Sequence, residues 1–182
     1  LNTGGKNIQI DGQFLSRVFS IQTGTGPGLN QQVILNGLRI SNGVTSSSSV
    51  KTGAGIDIVI GSDVKLINVT VDECIAEKHG GGISNAGTLK ISGGSIEGNT
   101  AATGLGGGIF NFKTLTITNG TIIKDNTAVL GGGVAVNTGV GVVTTITSAN
   151  IYGNSADETG GGIFAASDFT ISKSSIHDNE SQ

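Results

Sequence analysis

Between Gly80 and Asn126 the chain states one pattern twice. Gly80-Gly81-Gly82-Ile83 leads to Leu89-Lys90-Ile91 and then to Ile96-Glu97-Gly98-Asn99-Thr100-Ala101. Gly106-Gly107-Gly108-Ile109 leads to Leu115-Thr116-Ile117 and then to Ile123-Lys124-Asp125-Asn126-Thr127-Ala128. Looser copies open at Gly53, Gly131 and Gly160, so successive openings lie 27, 26, 25 and 29 residues apart by subtraction. A fixed period of this length marks a stacked architecture. One repeat is too small to bury its own apolar face, and the next repeat covers it.

The period inside each copy identifies the element. In Leu115-Thr116-Ile117-Thr118 and Phe169-Thr170-Ile171-Ser172 apolar and polar residues alternate. That is strand periodicity, and no segment sustains a helical one. Each copy is read as three short strands joined by turns, each strand pairing in parallel with its equivalent one coil away. The fold class is therefore all-β, a right-handed parallel β-helix of about six to seven coils of 25–29 residues. At roughly 4.8 Å per coil the rod is about 30 Å long.

Three inward ladders are expected, each side chain contributing about 1.5–3 kcal/mol of burial. One runs Val18, Ile56, Ile83, Ile109, Val134, Ile163. The second runs Ile10, Leu35, Leu66, Ile91, Ile117, Ile146, Ile171. The third runs Ile40, Val71, Ile96, Ile123, Ile151, Ile176. Inward residues five apart connect the second and third ladders, but Ile117 and Ile123 are six apart, so a one-residue bulge is expected near Gly120. The whole chain, 1–182, is read as a single domain, with irregular coils and loops in 1–52 and regular repeats in 53–182. The loops are the breaker-rich Gln22–Gln32 and the serine-rich Asn42–Thr52.

Composition removes several function classes. The 32 glycines have no G-X-Y period, and the apolar residues are mostly Ile, Val and Leu, so neither collagen nor a disordered tract fits. A net charge of −3 without a basic cluster argues against nucleic acid. No apolar run approaches the length of a membrane span. Cys74 is the single cysteine, so no internal disulfide and no thiolate metal cluster can form. No leader segment is legible, so the chain is either cytoplasmic or already processed, and the second is the expectation carried forward: a chain processed or excised from a larger secreted protein.

Polar residues recur at fixed places. Asn99, Asn126, Asn154 and Asn179 share one position in four successive coils, with Cys74 and Gly43 there in the two coils before. Stacked asparagines pass amide hydrogen bonds from coil to coil, and Asn also tolerates the left-handed turn conformation, so this is a structural ladder. Cys74 there is a small buried hydrophobe. The glycine triplets are followed by Ile and a strand rather than by Lys-Ser/Thr and a helix, so they do not cradle phosphate. Calcium-binding glycine repeats need a recurring Asp, and Asp57 alone comes near it. No cofactor and no metal is expected.

No catalytic constellation is legible among the carboxylates. Asp72 and Glu73 are adjacent and face opposite sides. Glu97 and Asp125 lie near Asp178 in repeat phase, a line that Tyr152 and Gly153 interrupt, and His79 and His177 lie about four coils apart. A solvated surface accounts for these charges, and no catalytic residue is assigned. One surface array stands out. Thr116 and Thr118, Thr145 and Thr147, and Thr170 and Ser172 form outward hydroxyl pairs on one sheet, with Lys65 and Lys90 on the same face in earlier coils.

The pattern G-G-G-I-x-N-x-G-x-L-x-I-x(4)-I-x-x-N-x-A at Gly80–Ala101 resembles the glycine-rich β-helix repeats of bacterial surface and secreted proteins. It is similar to polymorphic outer-membrane-protein and autotransporter passenger repeats. It is closer to the arrays of large pectate-lyase-like surface proteins, whose openings resemble Ile8–Gly12, Ser16–Phe19 and Gly37–Gly43. The resemblance implies an extracellular or cell-surface β-helix of a kind that serves adhesins, glycan-active enzymes and structural fibres alike, and with no catalytic residue assigned the chain is read as non-enzymatic, structural or adhesive. Its expected partners are further copies stacked end to end, neighbouring domains of a longer chain, or a glycan or host-surface ligand. The alternative it implies is a polysaccharide-active lyase or hydrolase, or a fragment of one. A third reading is an ice-binding threonine array.

Overall fold

The structure, a computed structural model, describes residues 8–23, 31–45 and 51–182. Among these residues there are 24 strands and no helix. All strands pair in parallel, in four sheets that run the length of one stack. The chain is a parallel β-solenoid, as the repeat requires.

The coil that begins at Gly80 shows the plan. The first-sheet strand is Ile83–Asn85, the second Thr88–Ser92, the third Ser95–Glu97 and the fourth Thr100–Leu105. Three strands per coil is thus corrected to four. The fourth sheet contains Ile75–Ala76, Thr100–Leu105, Thr127–Leu130, Ser155–Thr159 and Glu180–Ser181. Its inward ladder is Ala76, Ala101, Ala128 and Ala156, all buried. A column of methyl groups gives no alternation of large apolar and polar residues, so the pattern does not announce a strand.

Two ladder starts are corrected by the registers. Phe19, not Val18, stands opposite Ile56, after which Ile83, Ile109, Val134 and Ile163 follow as expected. Ile10 pairs with Ile40 and so heads the third ladder, not the second. The reason is the turn that follows. Asp11 accepts the Gln13 amide at 2.7 Å, and the Gly12 and Phe14 amides reach Ser41 and Asn42 of the next coil. Asp11-Gly12 therefore matches Ser41-Asn42, a third-to-fourth-sheet corner. From Leu35 to Ile171 and from Ile40 to Ile176 the ladders run as expected.

The extra residue near Gly120 makes a longer corner, not a bulge. Asn119 and Gly120, both at positive φ, and the buried Thr121 connect Thr114–Thr118 to Ile122–Lys124. The Thr121 hydroxyl donates to the Thr118 carbonyl at 2.7 Å and closes that corner. Register shifts occur instead in the fourth sheet, between Ala101 and Leu105 and between Ala128 and Leu130.

Inside, Ile40, Ile56, Leu66, Ile83, Ile96, Ile109, Leu115 and Ile123 are fully buried. The first sheet is covered on its outer side too. Asp57, Ser84, Phe110 and Ala135 point away from the axis and are still buried. Residues leading into the glycine triplets cover them, as where His79 stacks on Phe110 with ring centroids 4.8 Å apart.

The triplets permit this closeness. A Cβ on Gly107 would lie 2.4 Å from the Thr127 carbonyl oxygen and 2.5 Å from that of Gly132. Gly82, Gly108 and Gly133 have the amide of Asn99, Asn126 and Asn154 at about 3.0–3.1 Å from such a Cβ. Glycine and asparagine positions are therefore two halves of one packing arrangement.

Candidate functional surfaces

The expected asparagine ladder is formed. The Oδ1 of Asn126 accepts both the backbone amide and the Nδ2 of Asn99 at 3.0 Å. Asn154 does the same for Asn126 at 3.1 and 2.9 Å, and Asn179 for Asn154 at 3.1 and 2.8 Å. Each Nδ2 also donates back to a main-chain carbonyl: Val71, Ile96, Ile123 and Ile151 in turn. Asn99, Asn126 and Asn154 are 0% exposed, so the bonds among these three satisfy polar groups that solvent does not reach, while Asn179 is half-buried. The left-handed residue is not the ladder asparagine but its predecessor: Glu73, Gly98, Asp125, Gly153 and Asp178.

Cys74 is a rung of the same ladder. Its amide donates to Asn99 Oδ1 at 3.0 Å, and its Sγ accepts the Gly43 amide at 3.4 Å. The thiol donates to the Asp72 carbonyl at 3.2 Å. Burial pushes the thiol pKa up to about 12, so the neutral thiol is the form present. A Cβ on Gly55 would meet Cys74 Sγ at 3.1 Å, just as one on Gly82 would meet Asn99 Cγ at 3.0 Å, so the two sites have the same shape. Cys74→Asn is expected to raise stability by about 0.5–1.5 kcal/mol. The new Oδ1 would accept from Gly43 better than sulfur does, and the new Nδ2 would have the Ile40 carbonyl. Urea unfolding of both proteins checks this, and a lower midpoint for the variant would refute it.

A second buried amide chain had no clear mark in the sequence. Asn85 Nδ2 donates to Asn111 Oδ1 at 2.7 Å, and Asn111 Nδ2 to Thr144 Oγ1 at 2.9 Å. The signal was Ile83-Ser84-Asn85 beside Ile109-Phe110-Asn111, but Ile58 and Val136 occupy that position in the coils on either side.

The hydroxyl array lies on the outer face of the second sheet. Thr116, Thr145 and Thr170 stand in register, as do Thr147 and Ser172, whose hydroxyls are 3.3 Å apart. Thr118 pairs with Ser92, and its hydroxyl donates to the Ile91 carbonyl at 3.2 Å. Lys65 and Lys90 stand opposite each other and continue the column of Thr116. Among the described residues neither lysine joins an ion pair. The array is thus a strip of hydroxyls continuous with two ammonium groups.

The third sheet carries the acidic side. Its outward column is Asp11, Ser41, Asp72, Glu97, Lys124, Tyr152 and His177. Asp72 is 2% exposed and accepts a two-pronged contact from Arg39, at 3.0 Å from Nε and 2.5 Å from Nη2. That contact raises the Arg39 pKa. Glu97 and Asp125 lie 3.7 and 3.3 Å from Lys124, whose pKa they raise, Asp125 most. Asp72 and Glu97 are neighbours across two strands, yet each faces its own cation. His177 is stacked on Tyr152 and lies 2.8 Å from Asp178. Asp57 pairs with Arg17 at 3.6 Å, and burial raises its pKa against that pull.

Beside Arg39 lies a groove of about 460 Å³ lined by Gln9, Gly37, Leu38, Arg39, Asn68 and Thr70. Among the described residues no three His, Cys, Asp or Glu side chains are placed to share a metal ion. No helix of the described chain is long and apolar enough to cross a membrane. No family model, curated protein or solved structure matches the chain.

Proposed function

We propose that the chain is a rigid, non-enzymatic element of the cell surface or extracellular space, structural or adhesive, that joins end to end with further coils. The observation that carries this reading is the amide column Cys74–Asn99–Asn126–Asn154–Asn179, buried as far as Asn154, which bonds coil to coil at every step. A column of this kind fixes the rise and the register of the stack from inside. It leaves the outer faces free to vary, as a load-bearing or surface-presenting rod needs.

Parallel sheets also make stacking between chains geometrically natural, since a further coil pairs with an edge strand in the way each coil pairs with the last. The affinity to glycine-rich β-helix repeats of bacterial surface and secreted proteins, including the pectate-lyase-like arrays, belongs to this proposal and supports its extracellular setting. The hydroxyl strip with Lys65 and Lys90 is the surface on which a glycan or cell-surface ligand would be sought.

Electron microscopy of the purified chain across a dilution series tests the structural reading. Uniform filaments that shorten on dilution are the expected result. A monodisperse monomer over the whole range would remove end-to-end assembly from the proposal.

A further inference from the structure

The fourth sheet changes its bonding scheme at one place. Thr100 and Ala101 pair regularly with Ile75 and Ala76, and then the ladder to that strand stops. Beyond it, Thr103 donates its amide at 3.0 Å and its hydroxyl at 2.7 Å to the Glu77 carbonyl. Leu105 donates its amide not to a carbonyl but to Nδ1 of His79, at 3.0 Å. The same Leu105 accepts the Gly80 amide at 2.9 Å, so the imidazole sits where the chain enters a glycine triplet. The ring is stacked on Phe110, which is 8% exposed. A Cβ on Gly104 would lie 2.5 Å from Nδ1, so the backbone lies directly against the ring.

An acceptor at Nδ1 requires the neutral ring with its proton on Nε2. Protonation turns Nδ1 into a donor and sets two N–H groups against each other. The contact cannot survive in that form.

We propose that His79 is a proton-operated clasp: the neutral ring holds Gly104–Leu105 over Phe110, and protonation releases that segment while the stacked core persists. The charges around the ring agree. Lys78 beside it opposes a second positive charge, and Glu77 is engaged by Lys51 at 2.5 Å. Asp57, across Gly53, is engaged by Arg17. The strands that bring Phe110 and Leu105 to the ring, Ile109–Asn111 and Thr100–Leu105, contain no titratable side chain. Burial and Lys78 lower the His79 pKa below 6.5. The sign follows from that. A folded-state value below the unfolded one gives a contribution that is complete above about 6.5 and is lost as pH falls through the folded value.

The test is amide hydrogen exchange at Leu105, read as protection against the intrinsic rate, with nitrogen NMR of the ring. In the wild-type chain Leu105 protection is expected to fall at least about threefold between about pH 7.5 and about pH 5. Ile83, whose amide bonds Gly108, is expected to stay protected. His79→Gln is expected to abolish the pH dependence. Gly104→Ala is expected to leave Leu105 weakly protected at every pH. A neutral ring protonated on Nδ1, or Leu105 protection that ignores pH, overturns the proposal. So does a pH dependence that survives in His79→Gln. If that variant does not fold, the tautomer and the wild-type pH series decide the question alone.

Discussion

Gly107→Ala is expected to abolish the native fold or to cost more than about 3 kcal/mol. The methyl group would have to enter a space bounded by the Thr127 oxygen at 2.4 Å, the Gly132 oxygen at 2.5 Å and the Thr127 nitrogen at 2.6 Å. All three are main-chain atoms, the Thr127 pair from the fourth strand of the same coil and the Gly132 oxygen from the next coil, so no side chain can swing away. Relief requires the two coils to separate, and that lengthens the hydrogen bonds from Gly107 and Gly108 to Gly131 and Gly132. Gly120→Ala is the control. Its φ is +71°, but nothing lies within 4 Å of the added carbon. Its cost is expected to be about 1 kcal/mol, from backbone strain alone. Thermal or urea unfolding of the two variants separates close packing from conformational preference. Equal losses would show that the contact at Gly107 yields more easily than its distances say.

Asn126→Ala is expected to cost about 3–5 kcal/mol. It deletes the acceptor for the Asn99 amide and side chain, and the donor to the Ile96 carbonyl and to Asn154 Oδ1. These groups are left at 0% exposure on either side of a cavity. Asn126→Asp keeps the shape and the acceptor but replaces the donating amide with an oxygen that faces two acceptors. The new carboxyl is then stable only when protonated, and its folded-state pKa lies above the unfolded one. Its deficit is therefore smallest at pH below the ordinary carboxylate value of about 3.9 and grows as pH rises. Urea unfolding at about pH 4 and about pH 7 reads this difference. A deficit independent of pH would mean that water reaches the rung.

Large side chains at period two made most of the fold legible in the sequence. The ladders through Leu66–Ile91–Ile117 and Val71–Ile96–Ile123 needed only β-branched and leucine residues at fixed spacing. The fourth sheet was hidden because its interior is alanine, and Ala101 alone cannot distinguish a strand from a loop. Ile10 was misplaced because its 25-residue distance to Leu35 equals a repeat length, while the bonds that set its register come from Gly12 and Phe14. The asparagine ladder was legible because it recurs in four coils, whereas the Asn85–Asn111 chain recurs in two and finishes on the Thr144 hydroxyl. The threonine strip was legible because outward polar residues follow from the same period. The His79 clasp was not, because it depends on the irregular pairing after Ala101.

The main-chain hydrogen bonds of all four sheets point along the axis of the stack, and so do the amide bonds of the interior column. Traction along that axis loads them in tension rather than in shear. The coil at the pulled end takes the force first, and a coil still packed between neighbours is shielded by them. Each coil that peels frees the 26 residues from Gly80 to Leu105 or their equivalent, about 90 Å of extended chain. A rod built this way lengthens stepwise under load and dissipates work at each step, with the remaining coils still able to template the return of the freed one.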